Sequence, residues 1–110
     1  MTFLYLSSDQ MGSGDPDLGR TLLVSFLKQL FDSGATVDVI GCVNSGVFLT
    51  TGDGPAAGIL AAFAGRGTRV ASCGTCLDHF GRREQLRLGE VGSMDQTVAI
   101  MTTAERIIRP

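Results

Sequence analysis

Apolar residues gather along this chain in short blocks separated by glycine and polar residues, and the spacing inside each block predicts an element. TFLYLSS (Thr2–Ser8) is apolar and aromatic before it runs into polar residues, which predicts a buried strand. DQMGSG reads as a loop. Asp15 followed by Pro16 is a helix start: an acceptor at the N-cap, then the one residue that loses nothing in the first turn. Leu18, Leu22, Phe26 and Leu30 recur every four residues with Leu23 and Leu27 beside them, so the spacing predicts an amphipathic helix with that stripe toward the core, stopped by Gly34. Ala35–Val43 is β-branched and apolar and predicts a second strand, and Asn44-Ser45-Gly46 predicts a turn. VFLTT fits either extended chain or the start of a crossover. Asp53 is placed to cap a small-residue helix in GPAAGILAAFAGRG that ends at Gly65 or Gly67. TRVAS predicts a third strand feeding directly into Cys73, CLDHF a short helix, and ERIIR a terminal strand. RREQLRLGEVG has no clear period, and Ser93 is placed to cap a helix in MDQTVAIMTTA.

Strands alternating with helices mean crossover connections and a mostly parallel sheet covered on both faces. The expected fold is α/β, a three-layer flavodoxin-like sandwich forming one domain over residues 1–110, with no internal repeat or linker. In such sheets chemistry sits at the carboxyl ends of the strands. The polar punctuation falls there in each case. Ser7-Ser8-Asp9 with Gly12 and Gly14 follows the first strand, Cys42 and Asn44-Ser45-Gly46 end the second, and Cys73-Gly74-Thr75-Cys76 ends the third.

Composition narrows the possibilities. A hydrophobic fraction of 44% supports a packed core, and a net charge of -2 offers no basic field for nucleic acid or for a membrane surface. No apolar run approaches the ~20 residues that span a bilayer. The N-terminus lacks the basic region of a signal peptide, so a cytoplasmic address is expected. In that compartment Cys42, Cys73 and Cys76 stay reduced, and a close pair points to chemistry or metal rather than to a structural disulfide. The 15 glycines, nearly twice the usual share of about 7%, cluster at the ends of the apolar segments, where backbone freedom or close approach is needed.

A thiol reacts as its thiolate, and a strand-to-helix turn favours that form because helix-start amides point at the sulfur. Gly74 lets the backbone fold around Cys73, and Thr75 is placed to cap the short helix. Cys76 lies within one turn, so one cysteine can carry an adduct and the other resolve it. Other readings stand beside this one. The two cysteines can be small buried side chains without chemistry. Cys42, Cys73, Cys76 and His79 make four potential zinc ligands, although structural sites usually show two pairs. A thioredoxin-type couple normally lies earlier in its chain. His79, the chain's only histidine, is either a proton acceptor for a nearby thiol or an exposed helix residue. Asp9 either orients loop amides or caps its loop. Neither a Walker loop nor a dinucleotide fingerprint is present, and Met94 and Met101 read as packing residues.

SSDQMGSGDPDLGRTLLVSFL, NSGVFLT, GTRVASCGTCLDHFG and the closing ERIIRP resemble the DsrE-like sulfur-relay superfamily, most of all the DsrE-like domain of YedF-type sulfurtransferase-like proteins. The likeness spans nearly the whole chain, with Ser93 standing before Met94 where the family pattern has Asn. The resemblance implies a flavodoxin-like fold and a protein that accepts sulfane sulfur as a cysteine persulfide and passes it on. It implies Cys73, eight residues before Gly81, as first choice for the carrier and Cys76 as its resolving partner or alternate. Gly74, Thr75, His79, Asp9, Asn44, Ser45 and Gly46 would support the pair. It also implies a sulfur donor and an acceptor protein as partners, a TusA-like protein among them, and a homo-oligomer, with no cofactor or metal. The competing expectation is a non-enzymatic module that binds a small anion or nucleotide on loop amides, its cysteines being structural.

Overall fold

The computed structural model describes residues 1–110. Five strands form one all-parallel sheet in the order β4-β3-β2-β1-β5: β1 (Thr2–Leu6), β2 (Val39–Cys42), β3 (Arg69–Cys73), β4 (Glu90–Gly92) and β5 (Arg106–Ile108). The helices are α1 (Pro16–Asp32), α2 (Phe48–Thr51), α3 (Pro55–Gly65), α4 (Gly74–His79) and α5 (Met94–Thr103). From β1 to β4 the chain advances across the sheet in one direction. It then returns through α5 to β5 at the far edge, which puts α5 on the opposite face from α1 and α3. The result is a three-layer α/β sandwich of the kind the alternating pattern implies. No helix is long and apolar enough to cross a membrane by itself.

Alternation along the strands divides the interior. Leu4, Leu6, Ile40, Cys42 and Val70 pack against Leu23 and Leu27 of α1 and Ala56, Leu60 and Phe63 of α3. Phe3, Val39, Gly41, Ala71 and Cys73 turn toward α5. The buried hydroxyls on the first face are paired: Ser72 bonds Thr50 at 2.7 Å, and Thr50 also donates to the Val47 carbonyl. No buried side-chain nitrogen or oxygen lacks a partner.

Local chemistry sets the helix ends. Asp15 caps α1 by accepting the Leu18 N–H at 2.7 Å, with Pro16 at the first position, and Gly34 leaves the helix at φ +75°. The buried row of α1 is Gly19, Leu23 and Leu27, whereas Leu18 and Leu22 are exposed. The stripe expected toward the core, Leu18, Leu22, Phe26 and Leu30, is therefore off by one position: its N-terminal half faces outward, and the neighbouring row with Leu23 and Leu27 holds the core. Gly19 decides between them, because it brings α1 against the Gln10–Met11 loop and its carbonyl accepts the Met11 N–H at 2.9 Å. Asp53 does not cap α3. Gly54 holds that position, and the Asp53 carboxylate pairs with Arg87. Before α5, Ser93 takes the cap position as the pattern implies, and its N–H donates to the Gln96 side chain at 3.2 Å.

The aperiodic stretch after α4 contains β4, which pattern alone did not reveal. It is a three-residue edge strand with a charged residue, Glu90, paired to Arg69 on β3. The undecided VFLTT segment is helical: a 3-10 turn at Asn44–Val47 runs into α2. Gly46 in that turn rests on the end of β1, and a Cβ there would collide with the Leu6 carbonyl oxygen. Gly46→Ala is therefore expected to lower the unfolding free energy by about 2 kcal/mol or more, read from the denaturant midpoint.

Candidate functional site

Parallel pairing in register brings β1, β2 and β3 to a common edge: Leu6 pairs with Cys42 and Cys42 with Ser72. The turns after these strands consequently meet. Ser45 Oγ accepts the Asp9 N–H at 3.3 Å and lies 3.4 Å from Ser8 Oγ, which itself accepts the Gln10 N–H at 2.9 Å. The Asp9 carboxylate neither orients loop amides nor caps its loop; it pairs with Arg20 at 3.5 Å. Asn44 is the one non-glycine residue with positive φ, +51°. In that left-handed conformation its backbone N–H donates to Cys76 Sγ at 3.1 Å.

β3 passes into α4 without a linker. Cys73 ends the strand and occupies the cap position, Gly74 begins the helix, and no side chain caps it, so Thr75 lies inside the first turn and not before it. Gly74 sits in a crowded position. A Cβ there would lie 3.0 Å from the side-chain ends of Arg83 and Val91, which would have to shift by a few tenths of an ångström to admit it. Arg83 clamps the helix from outside, donating to Asp78 at 2.7 and 2.9 Å and to the Gly74 carbonyl at 3.4 Å. Its guanidinium holds the Asp78 carboxyl below the usual carboxylate range, chiefly by hydrogen bonding. Arg83 was not visible in the sequence as part of the site. It lies five residues after Asp78 and beyond the Gly81 turn, outside any helical spacing.

The three cysteines have different surroundings. Cys73 is 9% exposed, Cys42 is 1% exposed, and Cys76 is half-buried. Cys76 opens on a surface recess of about 240 Å³ together with Asn44, Thr75, His79 and Phe80. Phe80 forms an apolar wall, its ring edge-on to Phe48 at 4.7 Å and to His79 at 5.0 Å. His79 is exposed at the recess. Cys42 pairs in register with Ser72, so it shares that residue's face while Cys73 takes the other. No three His, Cys, Asp or Glu side chains gather closely enough to hold a metal ion, and Cys42, Cys73, Cys76 and His79 do not form a ligand set.

Electrostatics separates the thiols further. Burial pushes Cys42 up to about 12. Cys76 is also raised, first by burial, with the Asn44 amide acting in the opposite direction and the Cys73 sulfur adding to the rise by hydrogen bonding and by charge. The activation expected of the strand-to-helix turn therefore does not reach Cys76. The two cysteines flank the strand-to-helix junction three residues apart, and a second negative charge beside the first is disfavoured.

Two outcomes follow from this geometry. Iodoacetamide applied to the native protein at neutral pH is expected to modify Cys76 first and to leave Cys42 untouched until unfolding. Cys73→Ser should speed modification at Cys76 severalfold by removing the neighbouring sulfur, with peptide mapping as the readout. Stability should be full below pH 9, the ordinary thiol value, and should fall as pH rises toward 12. In that window the unfolded chain releases the Cys42 proton and the folded one keeps it. Cys42→Ala should flatten this alkaline loss relative to the parent in denaturant titrations.

Comparison with protein-family models finds no match, and comparison with curated proteins finds none either. Solved structures do resemble this chain. A protein of unknown function, MTH1491 from Methanobacterium thermoautotrophicum, superposes with a TM-score of 0.72 at 21% identity, covering 99% of this chain and 97% of that one. The ychN protein from E. coli superposes at 0.67 with 15% identity, covering 99% and 97%. A conserved protein of unknown function, BT1422 from Bacteroides thetaiotaomicron, gives 0.67 at 15% identity, covering 99% and 94%. At these identities the likeness is one of fold: the chain is built on the same compact α/β scaffold as these three proteins.

Proposed function

We propose that this protein is a sulfur carrier that accepts sulfane sulfur as a persulfide on the Cys73–Cys76 pair and passes it to a partner. The observation that carries the reading is the Asn44 N–H donated to Cys76 Sγ at the mouth of a recess, with Cys73 one helical turn away at the end of β3. A donor persulfide, R–S–SH, meets the Cys76 thiolate there. The bond from Cys76 Sγ to the outer sulfur forms, the donor's S–S bond breaks, and R–S⁻ leaves. Transfer to an acceptor thiol is the same exchange in reverse, and Asn44 favours the charge left on Cys76. The resemblance of CGTCL, NSGV and the Ser8–Gly19 loop region to DsrE-like and YedF-type sequences supports this chemistry, and the fold is compatible with it.

The anion-binding alternative has less behind it. The amides of Asp9, Gln10 and Asn44 already donate to Ser45, Ser8 and Cys76, which leaves fewer of them for a ligand. The carrier reading includes an acceptor protein, a TusA-like protein among the candidates. It also includes self-association, for which Val91, Met94 and Val98 offer exposed apolar surface on β4 and α5.

The test is uptake of sulfur. After incubation with sodium polysulfide and desalting, the parent is expected to gain the mass of one sulfur atom, lost again on treatment with a small thiol. The double variant Cys73→Ser/Cys76→Ser should gain none. Equal uptake by the double variant would overturn the assignment.

A further inference from the structure

Cys73 ends β3 and Cys76 lies in the first turn of α4, three residues on, yet the two line different spaces. Cys76 borders the open recess with Asn44, His79 and Phe80. Cys73 borders a crevice of about 20 Å³ between the sheet and α5, shared with Ala71, Ser72, Gly92, Gln96 and Thr97. A space of this size accommodates roughly one water-sized group, since about 10–15 Å³ suffices for a water. That excludes a donor molecule or an acceptor side chain and leaves room for one added atom. Cys73 is 9% exposed, so a bulky reagent cannot easily reach it from outside. The sulfur that faces partners and the sulfur that faces an atom-sized interior space are thus different residues.

We propose that the pair is a two-station relay, with Cys76 as the exchange position and Cys73 as a holding position whose crevice shelters one sulfane sulfur atom. This rests on the carrier reading and deepens it. The step is a thiol exchange within the protein. The Cys73 thiolate attacks the outer sulfur of the Cys76 persulfide and a bond forms between Cys73 Sγ and that atom. The bond from Cys76 Sγ to it breaks, its electron pair stays on Cys76 Sγ, and the proton given up by the Cys73 thiol ends there. No electrons are gained or lost, so no oxidant or reductant takes part. Cys76 departs as the sulfur that accepts the Asn44 N–H, which stabilises the charge as it appears. Reversal of the step returns sulfur to the surface when an acceptor arrives. The arrangement reverses the ranking expected from sequence for first contact with the donor, while keeping Cys73 as the residue on which sulfur rests.

The proposal is tested by locating the sulfur. The protein is loaded with sodium polysulfide, alkylated and cleaved with trypsin, and the Val70–Arg82 peptide is fragmented to place the added atom. In the parent it is expected on Cys73 and resistant to cyanide. In Cys73→Ser it should sit on Cys76 and be lost to cyanide about tenfold faster or more. Cys76→Ser should load slowly. Two variants that keep both cysteines fill the crevice from opposite sides, Ala71→Val from the sheet and Thr97→Leu from α5. Each is expected to shift the sulfur to Cys76, and having both guards against one failing to fold. Sulfur found on Cys76 in the loaded parent, unchanged placement in both filled variants, or conversion of the loaded pair to a disulfide with release of sulfide would each overturn the relay and leave the carrier reading standing. A parent that takes up no sulfur overturns both.

Discussion

The backbone N–H of Asn44 points at the sulfur of Cys76, and this contact ties the end of β2 to the helix that follows β3. It exists because several independent demands are met together. Asn44 must accept a left-handed backbone, and Gly46 must let the turn settle on the Leu6 carbonyl. α4 must start directly at Gly74 so that Cys76 falls in its first turn, with Arg83 securing it through Asp78 and the Gly74 carbonyl. Each demand removes a side chain or fixes a backbone angle, and the sulfur is held in place by the sum of them.

The pleat of the sheet does the rest. Side chains on a strand alternate between faces, so a one-residue difference in register decides which layer a thiol enters. Cys42 is level with Ser72 and belongs with the α1 and α3 core, where burial keeps its proton in place to high pH. Cys73, one residue beyond Ser72, turns toward α5 and a space of atomic size. Three cysteines that look alike as letters become a packing residue, an interior sulfur and a surface sulfur.

Charge within the pair follows from the same proximity. An amide donor favours negative charge on Cys76, but partial burial and the neighbouring sulfur outweigh it, so the surface thiol keeps its proton longer than a free cysteine does. Proximity therefore limits the resting reactivity of the pair even as it makes exchange between its members short-ranged. A single N–H···S contact is a modest interaction. Its effect is directional, selecting which sulfur carries charge when a bond to it breaks.

Local chemistry was legible wherever neighbours in the chain were sufficient. The Asp15–Pro16 start of α1, the Ser93 cap of α5, the strands that end before Asn44 and at Cys73, and the gathering of polar turns at one sheet edge all follow from side-chain preferences and short-range periodicity. Properties that depend on distant neighbours were not legible. Which leucine row of α1 is buried was decided by the contact of Gly19 with the Gln10–Met11 loop, and β4 exists because β3 offers Glu90 a ladder and an Arg69 partner. Arg83 joins the site only because the chain folds back after Gly81. The sequence by itself determined an α/β layering and a pair of thiols at a strand end, because periodicity and capping are local physics. Tertiary structure alone decided which thiol meets the solvent and which meets the crevice, because strand register and crossover direction place residues that never adjoin one another along the chain.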